Sequence, residues 1–116
     1  ALRELKLNES ELTSIRDLGT SLWELEVLWV RTCGLKDVDG IGAMEGLKEL
    51  YLSYNDVSDL TPMLMHEQLE VLDLEANAIA ELGQLDILAT CSRLRELTLA
   101  MNPLESLPDY RRLVAA

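Results

Sequence analysis

The sequence predicts an α/β fold, a solenoid with one parallel sheet as its inner wall and short helical segments as its outer wall. Three observations predict it. A pattern of leucines returns five times in 116 residues, from Leu2, Leu25, Leu47, Leu69 and Leu94, at spacings of 23, 22, 22 and 25. Within each copy the apolar period changes from two to about three, a strand followed by a helical return. The chain is 48% hydrophobic but only 4% aromatic, with no Phe, so the core must be aliphatic and mainly Leu. A chain of this length fits one domain, residues 1–116.

The fourth copy states the pattern most fully. Residues 69–82 read L-x-x-L-x-L-x-x-N-x-I-x-x-L, the leucine-rich-repeat signature. Leu72 and Leu74, two apart, share one face of a strand, and Val71, Asp73 and Glu75 share the other. Asn77 falls where the chain must turn out of the strand. Its side-chain amide both donates and accepts, so it can satisfy backbone groups that a buried turn would orphan. Ile79 and Leu82 then cover the core from the far side. One copy cannot bury its own apolar face, so the copies must stack.

The first copy places Leu2, Leu5 and Leu7 on the strand and Leu12, Ile15, Leu18 and Leu22 on the return, with Ser10 where Asn is expected. The second has Leu28 and Val30 inward and Cys33 at the ladder position, followed by Leu35, Val38, Ile41 and Met44. Cysteine suits that position because it is small, content to be buried and a weak donor. The third has Leu50 and Leu52, then Asn55, Val57, Leu60 and Met63, with Thr61-Pro62 as cap and first position of a short helix. The fourth continues through Leu85 and Leu88, and the fifth runs Leu97, Leu99, Asn102, Leu104, Leu107.

Repeats near 22 residues leave room for only one to three turns of α- or 3₁₀-helix outside. The 25-residue fourth copy should carry the longest, about residues 83–91. From about Pro103 the pattern changes, and Asp109-Tyr110-Arg111-Arg112-Leu113-Val114 reads as a partial helical cap. With that cap short and nothing covering Leu5 and Leu7, the chain is expected to be a fragment of a longer protein.

Charge and cysteines narrow the function. A formal net charge of −11 argues against nucleic acid or an anionic membrane as partner, since both need clustered Lys and Arg. No apolar run approaches a membrane span, and the first residues do not make a signal peptide. Cys33 and Cys91 have no metal spacing and fall on opposite sides of the repeat, so no disulfide is expected, which fits a reducing compartment. The triplet Asn8-Glu9-Ser10 matches a glycosylation acceptor, a pattern common by chance.

Stacked strands put side chains in columns. One column is Glu4, Val27, Glu49, Val71, Glu96, and the next is Lys6, Trp29, Tyr51, Asp73, Thr98. Then come Asn8, Arg31, Ser53, Glu75, Ala100, and beyond them Glu9, Thr32, Tyr54, Ala76, Met101. Trp29, Tyr51 and Tyr54 therefore form one aromatic patch on the concave face, flanked by Val27 and Val71 and ringed by Arg31, Glu49, Asp73 and Glu75. Exposed aromatics among charges have the composition of a protein-binding hot spot. The competing reading is that these rings merely shield the sheet by cross-strand contact. Trp23, at the end of a convex segment, is expected to pack between repeats.

No catalytic constellation is expected. His66 is the only histidine and stands where the second copy has Met44, so it reads as a packed or half-exposed structural residue. Gly40-Ile41-Gly42-Ala43-Met44-Glu45-Gly46 has its third Gly one residue late for a dinucleotide loop and lies in a convex segment. No nucleophile, base and oxyanion donor converge on the concave carboxylates. No enzyme activity, cofactor or metal is expected.

The short repeats and the closing Asn102-Pro103-Leu104 with Tyr110-Arg111 resemble the subfamily of the phosphatase-1 regulatory leucine-rich-repeat subunit. A more specific resemblance covers residues 4–82. The runs at 5–8, 15–22, 27–35, 39–41, 47–51, 53–60 and 67–75 resemble the family of leucine-rich repeat-containing protein 56. Trp29, Arg31, Cys33 and Ser53-Tyr54-Asn55 are choices the repeat does not force. That resemblance implies a cytoplasmic, ciliary or flagellar adaptor without enzyme activity. Its partners would be components of outer-dynein-arm assembly or intraflagellar transport. Two alternatives stand beside it: a phosphatase-type regulatory module, and a purely structural segment of a larger assembly.

Overall fold

The computed structural model describes residues 3–12, 14–18 and 24–106, without the side chain of Asp17. Leu2, Leu22, Trp23, Leu107 and the cap stretch 109–114 lie outside the described residues. Five strands form one parallel sheet in chain order: β1 Glu4–Lys6, β2 Val27–Trp29, β3 Glu49–Tyr51, β4 Val71–Asp73 and β5 Glu96–Thr98. Each follows its neighbour by one repeat, so like positions face like. Leu5, Leu28, Leu50, Leu72 and Leu97 are partners across the sheet, as are Lys6, Trp29, Tyr51, Asp73 and Thr98. The solenoid fold class and the register of the two strand columns, that of Glu4 and that of Lys6, are met.

The outer wall is built as the repeat lengths require. The three short returns are 3₁₀ turns at Ile15–Leu18, Ile41–Ala43 and Thr61–Met63, and the longer fourth holds an α-helix, α1, Gly83–Ala89. Pro103–Ser106 is a further 3₁₀ turn. Thr61 is not the cap expected of it. It is the first residue of its turn and Leu60 holds the cap position without a side-chain bond, while Asp59 Oδ1 accepts from the Thr61 N–H and hydroxyl. These two bonds hold the Asp59 carboxyl below its usual range.

Between the walls lies a continuous aliphatic core. Leu28, Leu50 and Leu72 from the sheet meet Ile15, Val38, Ile41, Leu60, Met63, Ile79 and Leu88 from the returns, all buried. Close stacking of the returns needs glycine at Gly40, where φ is +96° and a Cβ would come within 3.2 Å of the Arg16 backbone.

Asparagines join the repeats along one edge of this core. The Asn55 carbonyl accepts from the Cys33 and Leu35 N–H groups, and its amide donates to the Val30 and Leu52 carbonyls. Asn77 accepts from Val57 N–H and donates to Leu52 and Leu74; Asn102 accepts from Ile79 N–H and donates to Leu74 and Leu99. Each amide thus binds its own repeat to the preceding one. Cys33 continues the row with its thiol donating to the Leu7 carbonyl at 2.9 Å. Ser10 is exposed. Both cysteines are buried and free, and burial pushes the Cys91 thiol up.

Candidate functional site

The concave face takes its character from two rings. Trp29 on β2 and Tyr51 on β3 are register partners, and strands in a sheet lie about 4.8 Å apart. Their rings therefore meet face to face, with centroids 3.8 Å apart and planes 12° from parallel. Cations border the stack. The Lys6 ammonium is 5.5 Å from the Trp29 ring, and the Arg31 guanidinium is 4.9 Å from Trp29 and 5.6 Å from Tyr51. Each such contact is worth roughly 0.5–1 kcal/mol at a partly exposed site.

The polar ends of the stack are tied down. The Trp29 indole donates to Glu4 at 2.9 Å, and the Tyr51 hydroxyl donates to Glu49 on its own strand. That bond, with burial and the Glu49 and Glu96 charges, pushes the Tyr51 phenol up to about 12, against a smaller lowering by Arg31. Arg31 also reaches across two repeats to Asp73, 3.3 Å away, through Nη2. Its Nε is buried with no hydrogen-bond partner. Glu4, Glu49 and Asp73 are thus each engaged with a member of this group.

The expected site residues therefore divide. Trp29, Tyr51, Arg31, Glu49 and Asp73 form one connected group, of which Trp29 and Tyr51 are half-buried instead of exposed, because each ring covers a face of the other. Val27 is half-buried beside them, and Val71 is buried, 8% exposed, between Glu49 and Glu96 in its column. Glu75 is half-buried, and its carboxylate has no partner among the described residues. Tyr54 stands apart from the ring stack and is 52% exposed. In the column of Arg31 and Glu75, small Ser53 is buried instead of open to the face.

Tyr54 stands apart for a reason the column arithmetic missed. It and its equivalents Glu9, Thr32, Ala76 and Met101 are all left-handed, with φ between 54° and 63°. The chain turns there, and the first four N–H groups still bond the next repeat, as Thr32 to Ser53 and Tyr54 to Glu75, while that of Met101 bonds the Glu105 carboxylate. This fourth column is a row of turns along the lip of the sheet. None of its residues is the Gly or Asn that usually signals such a turn.

Among the described residues no three His, Cys, Asp or Glu side chains are placed to hold a metal, and no helix is long and apolar enough to cross a membrane. The repeat fold is that of a protein-interaction module. The chain belongs to the leucine-rich repeat family, whose sequence model matches residues 1–116.

Within that family it is similar to leucine-rich repeat-containing protein 56. It is 57% identical over 108 residues to the Rattus norvegicus protein, covering 93% of this chain and 20% of that one. To the Homo sapiens protein it is 58% identical over 101 residues, 87% of this chain and 19% of that one. The chain spans about a fifth of the length of these curated relatives. Among solved structures it is similar to a chain of the Drosophila melanogaster SNF/U2A' complex, with a TM-score of 0.79 at 27% identity, over 97% of this chain and 66% of that one.

Proposed function

We propose that the concave face docks a protein segment, with Trp29, Tyr51 and Tyr54 as its anchors. The observation that carries this reading is the Trp29–Tyr51 stack, rigid before any partner arrives because its rings, its indole N–H and its hydroxyl are all held. A preorganised aromatic wall loses little entropy on binding, a large part of what makes a hot spot. The Glu75 carboxylate, without a partner among the described residues, and the second oxygen of Glu49 favour a basic segment. The similar chain of the SNF/U2A' complex supports the same use of the fold, since it sits within a complex.

The finer reading follows the family resemblance. The chain would be the leucine-rich-repeat part of a non-enzymatic adaptor, cytoplasmic and ciliary or flagellar, that helps assemble or carry outer dynein arms. A pull-down from ciliated-cell extract, read by mass spectrometry, tests it. Dynein-arm or intraflagellar-transport components should be retained by the native chain and lost from a folded Trp29→Ala/Tyr51→Ala variant. Stoichiometric capture of a phosphatase catalytic subunit instead would overturn the ciliary reading.

A further inference from the structure

The first concave column alternates in character. Glu4, Val27, Glu49, Val71 and Glu96 are register partners across the five strands, so acid and valine take turns. The column just before the strands, Arg3, Glu26, Lys48, Glu70 and Arg95, alternates in charge and pairs within itself. Glu26 meets Arg3 at 3.4 Å and Lys48 at 3.3 Å, and Glu70 meets Arg95 at 3.4 Å. Among the described residues Glu4 and Glu49 have no ion pair, and Glu96 has one, with Arg95 at 2.9 Å. Two of these acids are also held in place. One oxygen of Glu4 accepts from the Trp29 indole at 2.9 Å, and one of Glu49 accepts from the Tyr51 hydroxyl. Half-buried Val27 and buried Val71 make an apolar floor between the acids.

The spacing of the acids selects the backbone that can meet them. Strands lie about 4.8 Å apart, so successive glutamates are about 9.6 Å apart and the column spans about 19.2 Å. A polyproline II helix shows the same face every third residue, about 9.3 Å on, and two of its turns cover about 18.6 Å. An α-helix returns every seventh residue, about 10.5 Å on, and two such steps need about 21 Å. One face of a strand returns every second residue, about 6.8 Å on, out of step with the acids. The polyproline period therefore fits best, and concave curvature, which draws side-chain tips together, widens the mismatch of the α-helix. Beside this column the Trp29–Tyr51 stack stands as an aromatic ridge, the kind of surface on which proline rings pack.

We propose that the segment docked on the concave face is basic and proline-rich, lying across the strands as a polyproline II helix. Its Lys or Arg residues, at every third position, meet Glu4, Glu49 and Glu96. Their aliphatic stems lie on Val27 and Val71, and one proline of each turn lies against the Trp29–Tyr51 ridge. This inference rests on the concave docking proposed above and names the chemistry of its partner. Such a segment is stiff before it binds, as are the held acids and rings, so little order is lost on docking.

The test is a calorimetric titration of the 116-residue chain with acetyl-Arg-Pro-Pro-Arg-Pro-Pro-Arg-amide, with the Trp29 indole N–H followed by NMR. One counterpart peptide has three prolines between arginines, which breaks the spacing. Another has glycine for every proline, which keeps the spacing and removes the stiffness. The first peptide should move the indole resonance and bind about tenfold more tightly than either counterpart. Glu4→Gln or Glu49→Gln keeps an oxygen for its ring partner and should weaken binding about threefold, and the two together roughly tenfold. Glu81→Gln, beside α1 on the outer wall, should change nothing. Equal binding of the three peptides, or equal weakening by Glu81→Gln, would mean attraction to the net charge of −11 alone and overturn the inference. Tighter binding of a helical alanine-based peptide with arginine at every seventh position would overturn it too. If the native chain retains extract partners that the Trp29→Ala/Tyr51→Ala variant loses, yet ignores the arginine–proline peptide, this inference falls and concave docking stands.

Discussion

Trp29 and Tyr51, register partners on adjacent strands, stack 3.8 Å apart, and the Tyr51 hydroxyl is anchored on Glu49. The carboxylate that holds the ring also resists its ionisation, so the phenol titrates near 12 instead of its ordinary 10. The fold thus holds this proton more tightly than the unfolded chain does. The stabilisation is complete below pH 10 and is lost as pH rises from 10 to about 12. In a spectrophotometric titration Tyr51 should ionise late, and Glu49→Ala should return its midpoint toward 10. An unchanged midpoint would mean that Glu49 does not hold the ring.

The asparagine row carries a stability prediction. Asn77→Ala orphans the Val57 N–H and removes one of the two amide donors from each of the Leu52 and Leu74 carbonyls, which keep Asn55 and Asn102. The loss should be about 1–3 kcal/mol in urea unfolding. Asn77→Asp should not rescue it, because a carboxylate keeps the acceptor but turns the two donated bonds into repulsions.

Thr32 is the least suited of the left-handed residues, being β-branched at φ 54°. Its N–H bond to Ser53 is made by the backbone, and its side chain is exposed. Thr32→Asn should therefore stabilise the chain by about 1 kcal/mol, read as a higher melting temperature. A lower one would show that the hydroxyl or methyl does something the structure does not reveal.

Equivalent leucines should differ along the sheet. Leu72, 1% exposed between β3 and β5, should cost about 2–5 kcal/mol when changed to Ala. Leu97 holds the same repeat position on β5 but is 36% exposed, with β4 as its strand neighbour among the described residues. Leu97→Ala should cost less than about half as much, in proportion to the apolar area it buries. Chemical denaturation of the two variants side by side checks this.

Much of this fold was legible because the repeat repeats. A period of two at Leu72 and Leu74 and an amide at Asn77 specify a strand and its exit, and four further copies specify the register. The same arithmetic placed Trp29, Tyr51, Arg31, Glu49 and Asp73 on one face. Backbone angles and side-chain reach left weaker traces in the sequence. The left-handed row of Glu9, Thr32, Tyr54, Ala76 and Met101 carries no glycine to announce it, so Tyr54 read as a strand residue beside Tyr51. Nor does a column of letters say that two rings one strand apart will cover each other. His66 read as structural from its place opposite Met44, and its buried ring, bonded to the Met44 carbonyl, fits that.

Docking of the partner on the concave, aromatic side is tested most directly by site-specific photo-crosslinking in ciliated-cell extract. A benzoylphenylalanine is placed at Tyr54 on the lip or at Gly83 on the outer wall, where no atom lies within 4 Å of an added Cβ. A discrete crosslinked protein is expected from position 54, absent from position 83 and lost when Trp29 and Tyr51 are changed to Ala. The same protein captured from position 83 alone, or from position 54 regardless of the stack, would contradict concave docking.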